Sequence, residues 1–217
     1  MGDNPVAGII THVSEPDLLQ DVKRLRQVLE LDQRPAPTGA EPPPALVVLC
    51  GLPGTGKSHF ARQLTQRWPS VVLGSDRLRK TLVSRPQYTP EEHRRVFSAA
   101  YRLLEELLAE GHRVIFDAVN LHEGSREPAR QIARRAGVPL LLIQLTAPPG
   151  LVRRRLQDRV AGANCDGFSD ADWQIYCNMR PAQQPVRGPH LLVDTSKDIG
   201  PALEEVLRWL RAAEQVS

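Results

Sequence analysis

The stretch LVVLCGLPGTGKSHF, residues 46–60, decides how this chain is read. Its first five residues are apolar, as in a strand buried on both faces. The next eight, GLPGTGKS, satisfy the pattern GxxxxGK[ST] between that strand and a helix expected to begin near Lys57. Gly51, Gly54 and Gly56 let the backbone curl so that its N–H groups point inward. Leu52, Pro53 and Thr55 complete a concave nest backed by a helix N-terminus, a shape that holds phosphate oxygens. Lys57 adds a mobile positive charge, Ser58 a hydroxyl suited to Mg²⁺, and His59 follows beside the nucleotide. Average residue usage gives such a match by chance in about one chain in a hundred of this length. The strand–loop–helix setting makes chance rarer still.

Working outward, short apolar runs alternate with longer amphipathic stretches. Strands are expected at 46–50, 71–74, 113–118, 139–145 and 191–195. Helices are expected at 91–110 with Gly111 as stop, 126–136 with Gly137 as stop, 151–160, up to Met179 after a Ser169 cap, and 199–213. Near-continuously apolar strands separated by helices imply a parallel sheet covered on both faces. Upstream, residues 35–44 (PAPTGAEPPP) hold five prolines and read as a semi-rigid linker between an extension, 1–34, and the main domain, 45–217. The extension carries one helix, about 16–31, capped by Ser14, with Leu18, Val22, Leu25 and Leu29 on one face.

Composition sets bounds. The 217 residues are 41% hydrophobic and 24% charged, ordinary for a soluble domain. No apolar run reaches the roughly 18 residues of a membrane span, and the first residues lack a secretory pattern, so the expectation is a cytoplasmic protein. Cys50, Cys165 and Cys177 show no metal-like spacing, nor do His93, His112, His122 and His190. A net charge of +3 and 5% aromatics argue against a nucleic-acid surface without forbidding one.

Further candidates follow the strands. Asp76, just past the second strand, sits where the crevice of an open α/β sheet lies. It is either a carboxylate that takes or orients the proton of an attacking hydroxyl, or a helix cap. Arg79, one helical turn on, either grips an anion or is a surface charge. Asp117 ends RVIFDA; it is either the carboxylate that holds Mg²⁺ directly or through water, or a cap in a strand-end turn, and Asn120 follows in the same loop. Arg153, Arg154, Arg155 and Arg159 crowd one short helix; Arg155 and Arg159 share a face that is either a lid over the phosphates or, like Arg153 and Arg154, a solvated basic surface. Arg126 is a weaker candidate for the acceptor side.

Taken in order, these motifs resemble a family of small P-loop kinases often described as AAA-type ATP-binding proteins. It includes the kinase domain of polynucleotide 5′-hydroxyl kinases and is related to zeta-toxin and gluconate-kinase-like enzymes. The likeness covers about residues 46–195. SDRLRK (75–80) resembles the family's acceptor motif, VIFDAVNL (114–121) its DxTN segment with Val119 where Thr is usual, and RRRLQDR (153–159) its lid pair. GFSDADWQIY (167–176) is similar to a "vSDA" stretch of bacterial members. The resemblance implies a three-layer P-loop NTPase sandwich with a five-stranded parallel sheet in the order 2-3-1-4-5. It implies ATP and Mg²⁺ as ligands, Asp76 as general base, and transfer of the γ-phosphoryl group to a hydroxyl. A small-molecule acceptor is favoured; a nucleic-acid 5′ end, or a non-kinase ATP-driven switch, is the alternative. Acceptor specificity is expected in residues 81–95 and 162–167.

Overall fold

The computed structural model describes residues 14–33, 43–161 and 169–214. Its centre is β1 (Leu46–Cys50), buried along its whole length. It pairs in parallel with β3 (Val114–Asp117) on one side and β4 (Leu140–Thr146) on the other. Outside these lie β2 (Val71–Gly74) and β5 (Leu191–Asp194), giving the order β2-β3-β1-β4-β5. All five strands are parallel, as the continuous apolar runs require.

The two-residue period of the strands splits the core into two layers. Leu46, Val48, Cys50, Leu73, Val114 and Phe116 face α4 (Pro90–Ala109) and α5 (Glu123–Ala136). Val47, Leu49, Ile115, Ile143 and Val193 face α2 (Lys57–Arg67) and α8 (Gly200–Glu214). A third, small cluster joins Leu52 and Leu121, in the loops after β1 and β3, to α6 (Pro149–Val160) and α7 (Trp173–Met179) through Val152, Leu156 and Tyr176.

The N-terminal helix α1 (Glu15–Val28) is built into the first layer. Ser14 Oγ accepts from the Asp17 amide (3.3 Å), and Leu18, Val22, Leu25 and Leu29 bury their apolar face with α3 (Ser75–Leu82) and α4. Arg95 clamps Asp21 through two 2.7 Å bonds, and Arg26 reaches Glu110 at 2.8 Å. The helix stops at Val28, before the expected residue 31; Leu31 reaches the core from a separate 3₁₀ turn.

Two other boundaries differ from the sequence expectation, both through capping. α5 starts at Glu123, because Ser125 Oγ and the His122 backbone bond reciprocally (3.2 and 2.7 Å) and close the first turn. α7 is capped by Asp172, which accepts from the Ile175 amide at 2.8 Å, and not by Ser169. Cys165 and the expected specificity loop 162–167 lie outside the described residues, as does most of the linker. Among the described residues no helix is long and apolar enough to cross a membrane.

Candidate active site

At the carboxyl end of β1 the chain enters the loop 51–56 and curls back into α2. Gly51 (φ +145°) donates to the Val119 carbonyl at 3.0 Å, and a Cβ there would lie 2.4 Å from the Leu145 carbonyl oxygen. Gly54 (φ +77°) is pressed against α6, where a Cβ would meet Val152 at 2.8 Å and Leu156 at 3.0 Å. Both positions therefore demand glycine, the first by strand approach and the second by helix packing. Thr55 Oγ1 (2.8 Å) and Lys57 Nζ (3.1 Å) both donate to the Leu52 carbonyl, which folds the lysine over the loop.

Register sets the next residues. Asp117 pairs across the sheet with Leu49 and Gly74, so the last residue of β3 stands level with the start of the loop. Ser58 Oγ donates to Asp117 Oδ2 at 2.6 Å. Burial pushes the Asp117 carboxyl upward, opposed by the Lys57 charge and the Ser58 bond. Burial likewise pulls the Lys57 ammonium down, opposed by Asp117 and Asp76. Among the described residues no group of three or more His, Cys, Asp or Glu side chains forms a metal cage. The Ser58–Asp117 pair supplies two hard oxygen ligands, which fits Mg²⁺ because that ion takes few protein ligands and draws the rest from phosphates and water.

One cleft of about 1290 Å³ runs over the loop and past Asp76, Asp117 and Asn120. Asp76 lies in the first turn of α3; the capping position is Gly74, so the cap reading does not describe it. Its carboxylate makes no hydrogen bond to a described residue, while its charge is felt at Lys57. Asn120 is held with φ +47° by an Nδ2 bond to the Leu49 carbonyl (2.8 Å), leaving its buried Oδ1 without a partner. Val119, in place of the usual Thr, packs its side chain against the third cluster.

The arginines divide the work differently from the expected lid pair. α6 is already seated on Gly54, and Arg155 fastens the loop to the strand β5 end: its Nη1 donates to Thr195 Oγ1 (2.9 Å) and Gly54 O (3.3 Å), its Nη2 to Thr195 O (2.8 Å). Arg159 also lines the cleft, and its buried Nη1 has no acceptor. Arg153 lies over the Trp173 ring at 5.7 Å. Arg79 is buried, ion-paired to Glu92, and stacked 4.9 Å from the Tyr88 ring. Arg126 is 1% exposed and does not point to the acceptor side as expected. Its guanidinium binds the carbonyls of Leu121 (2.8 Å), Gln184 (2.8 Å) and Pro185 (3.1 Å), and Glu123 at 2.8 Å, tying the loop after β3 to the chain ahead of β5. His59 is exposed at the cleft rim.

Several residues that line or support the cleft were not singled out from sequence. Glu92 binds Arg79 and also accepts from the Gln87 (2.7 Å) and Tyr88 (3.1 Å) amides, shaping the loop before α4. Asp170, within the SDA stretch, receives Tyr88 Oη (2.9 Å) and Lys80 (2.6 Å). Thr195 accepts Arg155 and donates to the Thr55 carbonyl at 2.9 Å. The sequence signal for the first group was only their place within 81–95, and for Asp170 only the motif.

A parallel 2-3-1-4-5 sheet with a GxxxxGK[ST] loop at the end of its central strand defines a P-loop nucleotide-binding fold of the kind that small P-loop kinases share. The model of the family described as "AAA domain" matches residues 46–172, more than half of the chain, and the chain belongs to that family. Among curated proteins it is 26% identical over 119 residues to the L-seryl-tRNA(Sec) kinase of Methanococcus maripaludis, covering 52% of this chain and 46% of that protein. It is 28% identical over 179 residues to a Protein KTI12 homolog of Mus musculus, covering 75% and 50%. The chain thus spans about half the length of these curated relatives. Its fold is similar to that of Mycobacterium tuberculosis APS kinase in complex with AMPPNP and APS, with TM-score 0.58, 23% identity, and coverage of 79% of this chain and 99% of that one.

Proposed function

We propose that the chain is an ATP-dependent phosphotransferase that moves the γ-phosphoryl group onto a hydroxyl, in a cytoplasmic protein whose catalytic unit is residues 45–217 with α1 as an extension. One observation carries this reading: Asp76 and the Ser58–Asp117 pair line a single cleft, and the charge of each carboxylate is felt at Lys57. A nucleotide-binding loop needs Lys57, Ser58 and Asp117, but it has no use for a second, unpaired carboxylate unless something must be deprotonated or oriented there.

In this reading the loop amides of 51–58 hold the β-phosphate, and Lys57 bridges to the γ-phosphate. Ser58 and Asp117 hold Mg²⁺, which when bound screens the charge between the phosphates. Asp76 orients the acceptor hydroxyl and accepts its proton. Arg159 places its unpartnered Nη1 where negative charge develops, while Arg155 holds the loop's shape and Arg79 the acceptor wall. Names of relatives support a kinase: one phosphorylates a seryl-tRNA and one fold neighbour is an APS kinase. The rival, an ATP-driven switch, leaves Asp76 without a task.

The test is incubation of the protein with γ-labelled ATP, Mg²⁺ and a metabolite extract. The expected result is label in a phosphomonoester product and ADP release that rises when the extract is added. ADP release that ignores the extract, with no labelled product, would favour the switch.

A further inference from the structure

Beyond the phosphate loop the cleft is lined by Asp76, Tyr88, His93, Phe97 and Asn120. Among the described residues, the cations beside this group, Arg77, Arg79 and Lys80, are bonded to protein. Arg79, 6% exposed, is ion-paired to Glu92. Lys80 binds Asp170 at 2.6 Å. Arg77 reaches away to α1 and donates to the Val28 carbonyl (3.2 Å), at a helix end where positive charge is favoured. The carboxylate of Asp76 has no such partner, and the buried Oδ1 of Asn120 is an orphan acceptor. The same cleft is lined by rings: His93 and Phe97 stack at 4.2 Å, and Tyr88 joins them. Burial and the neighbouring Arg79 hold the His93 imidazole below its ordinary range, which keeps that ring neutral at physiological pH.

A phosphorylated or sulfated acceptor would meet the Asp76 carboxylate beside Arg77, Arg79 and Lys80, each already bonded to protein, while the cations left for phosphate, Lys57 and the unpartnered Nη1 of Arg159, stand at the phosphate loop and on α6; like-charge contact in a confined site disfavours such an acceptor. A hydroxyl or ammonium donor would satisfy Asp76 and Asn120, and an apolar face would lie on the stacked rings. Resting on the phosphotransferase reading, we propose that the acceptor is a neutral or amine-bearing hydroxyl compound with an apolar or aromatic face, and without phosphate, sulfate or carboxylate groups.

Three small probes of matched ring size test this: benzyl alcohol, benzylamine and phenyl phosphate. Each is titrated into the full chain, with and without magnesium-AMPPNP, while the ring signals of Phe97 and His93 are followed by NMR. The first two are expected to shift those signals and to bind at least about tenfold tighter than phenyl phosphate. Phe97→Ala is expected to weaken them while nucleotide affinity holds. Glu92→Gln, which releases the Arg79 guanidinium, is expected to admit phenyl phosphate. Equal or tighter binding of phenyl phosphate to the unaltered chain would overturn the proposal, as would failure of both other probes to move the ring signals, or continued exclusion of phenyl phosphate by Glu92→Gln. Calorimetry with magnesium-AMPPNP on the same samples separates the two readings. Absent nucleotide binding would sink the phosphotransferase, whereas a phosphate-preferring wall beside a working nucleotide site would sink only the acceptor class.

Discussion

Asp76 and Asp117 end neighbouring strand–loop units yet meet different surroundings. Asp117 is buried against Ser58 and Lys57; Asp76 stands open to the cleft. Replacing Asp76 by Asn removes proton acceptance and keeps the shape, so nucleotide affinity should hold while kcat falls about 10²- to 10⁴-fold, the range of general-base contributions. Arg159→Ala should lower kcat by about 10²- to 10³-fold with intact folding, since its Nη1 has no structural partner to lose. Steady-state kinetics with direct nucleotide titration checks both. Cys50 offers a separate check of burial: its thiol is pushed from 9.0 up to about 11, so at pH 8 only about one in a thousand is ionised. Alkylation followed by mass spectrometry should therefore label exposed Cys177 and spare Cys50. Because the folded value is raised, ionisation favours the unfolded chain: this contribution to stability is whole below pH 9.0 and is lost as pH rises through about 11. At this scale the residue types of the loop were legible, since glycine demand and lysine spacing are local. The partners of Arg79, Arg126 and Arg155 were not. The guanidiniums are satisfied by groups 3 to 101 positions away, and nothing in a sequence marks which cation is paired and which is left for a ligand.

At the scale of elements, α6 and α1 carry the account. α6 was legible as an arginine-rich helix, but its docking on Gly54 through Val152 and Leu156 was not, because that contact joins two loops brought together by the sheet. The cap errors have the same source: several polar residues precede α5 and α7, and tertiary position picks the one whose side chain meets the free amides. For α1 the apolar spacing alone showed a buried face. Leu25 is fully buried in the layer shared with α4, so Leu25→Ala should cost about 2–5 kcal/mol. Thermal denaturation should register this as a drop of several degrees. An unchanged melting point would mean that α1 contributes little to the fold and is free to act elsewhere.

For the molecule as a whole, buried apolar strands and helical crossovers made a parallel sheet legible, while its order was legible only through the motifs' resemblance to a family; the observed order brings the carboxyl ends of β1, β2 and β3 to one crevice. The phosphate loop, Asp76 and Asp117 converge there from three separate segments, and α6 and the β5 end close the nucleotide side. The central claim is that this crevice holds a magnesium nucleotide by its phosphates. Calorimetric titration of magnesium-AMPPNP into the unaltered chain and into Lys57→Ala tests it directly. The account predicts one saturable site whose affinity falls at least about tenfold in the variant; no binding heat in the unaltered chain, or equal affinity in both, would contradict it.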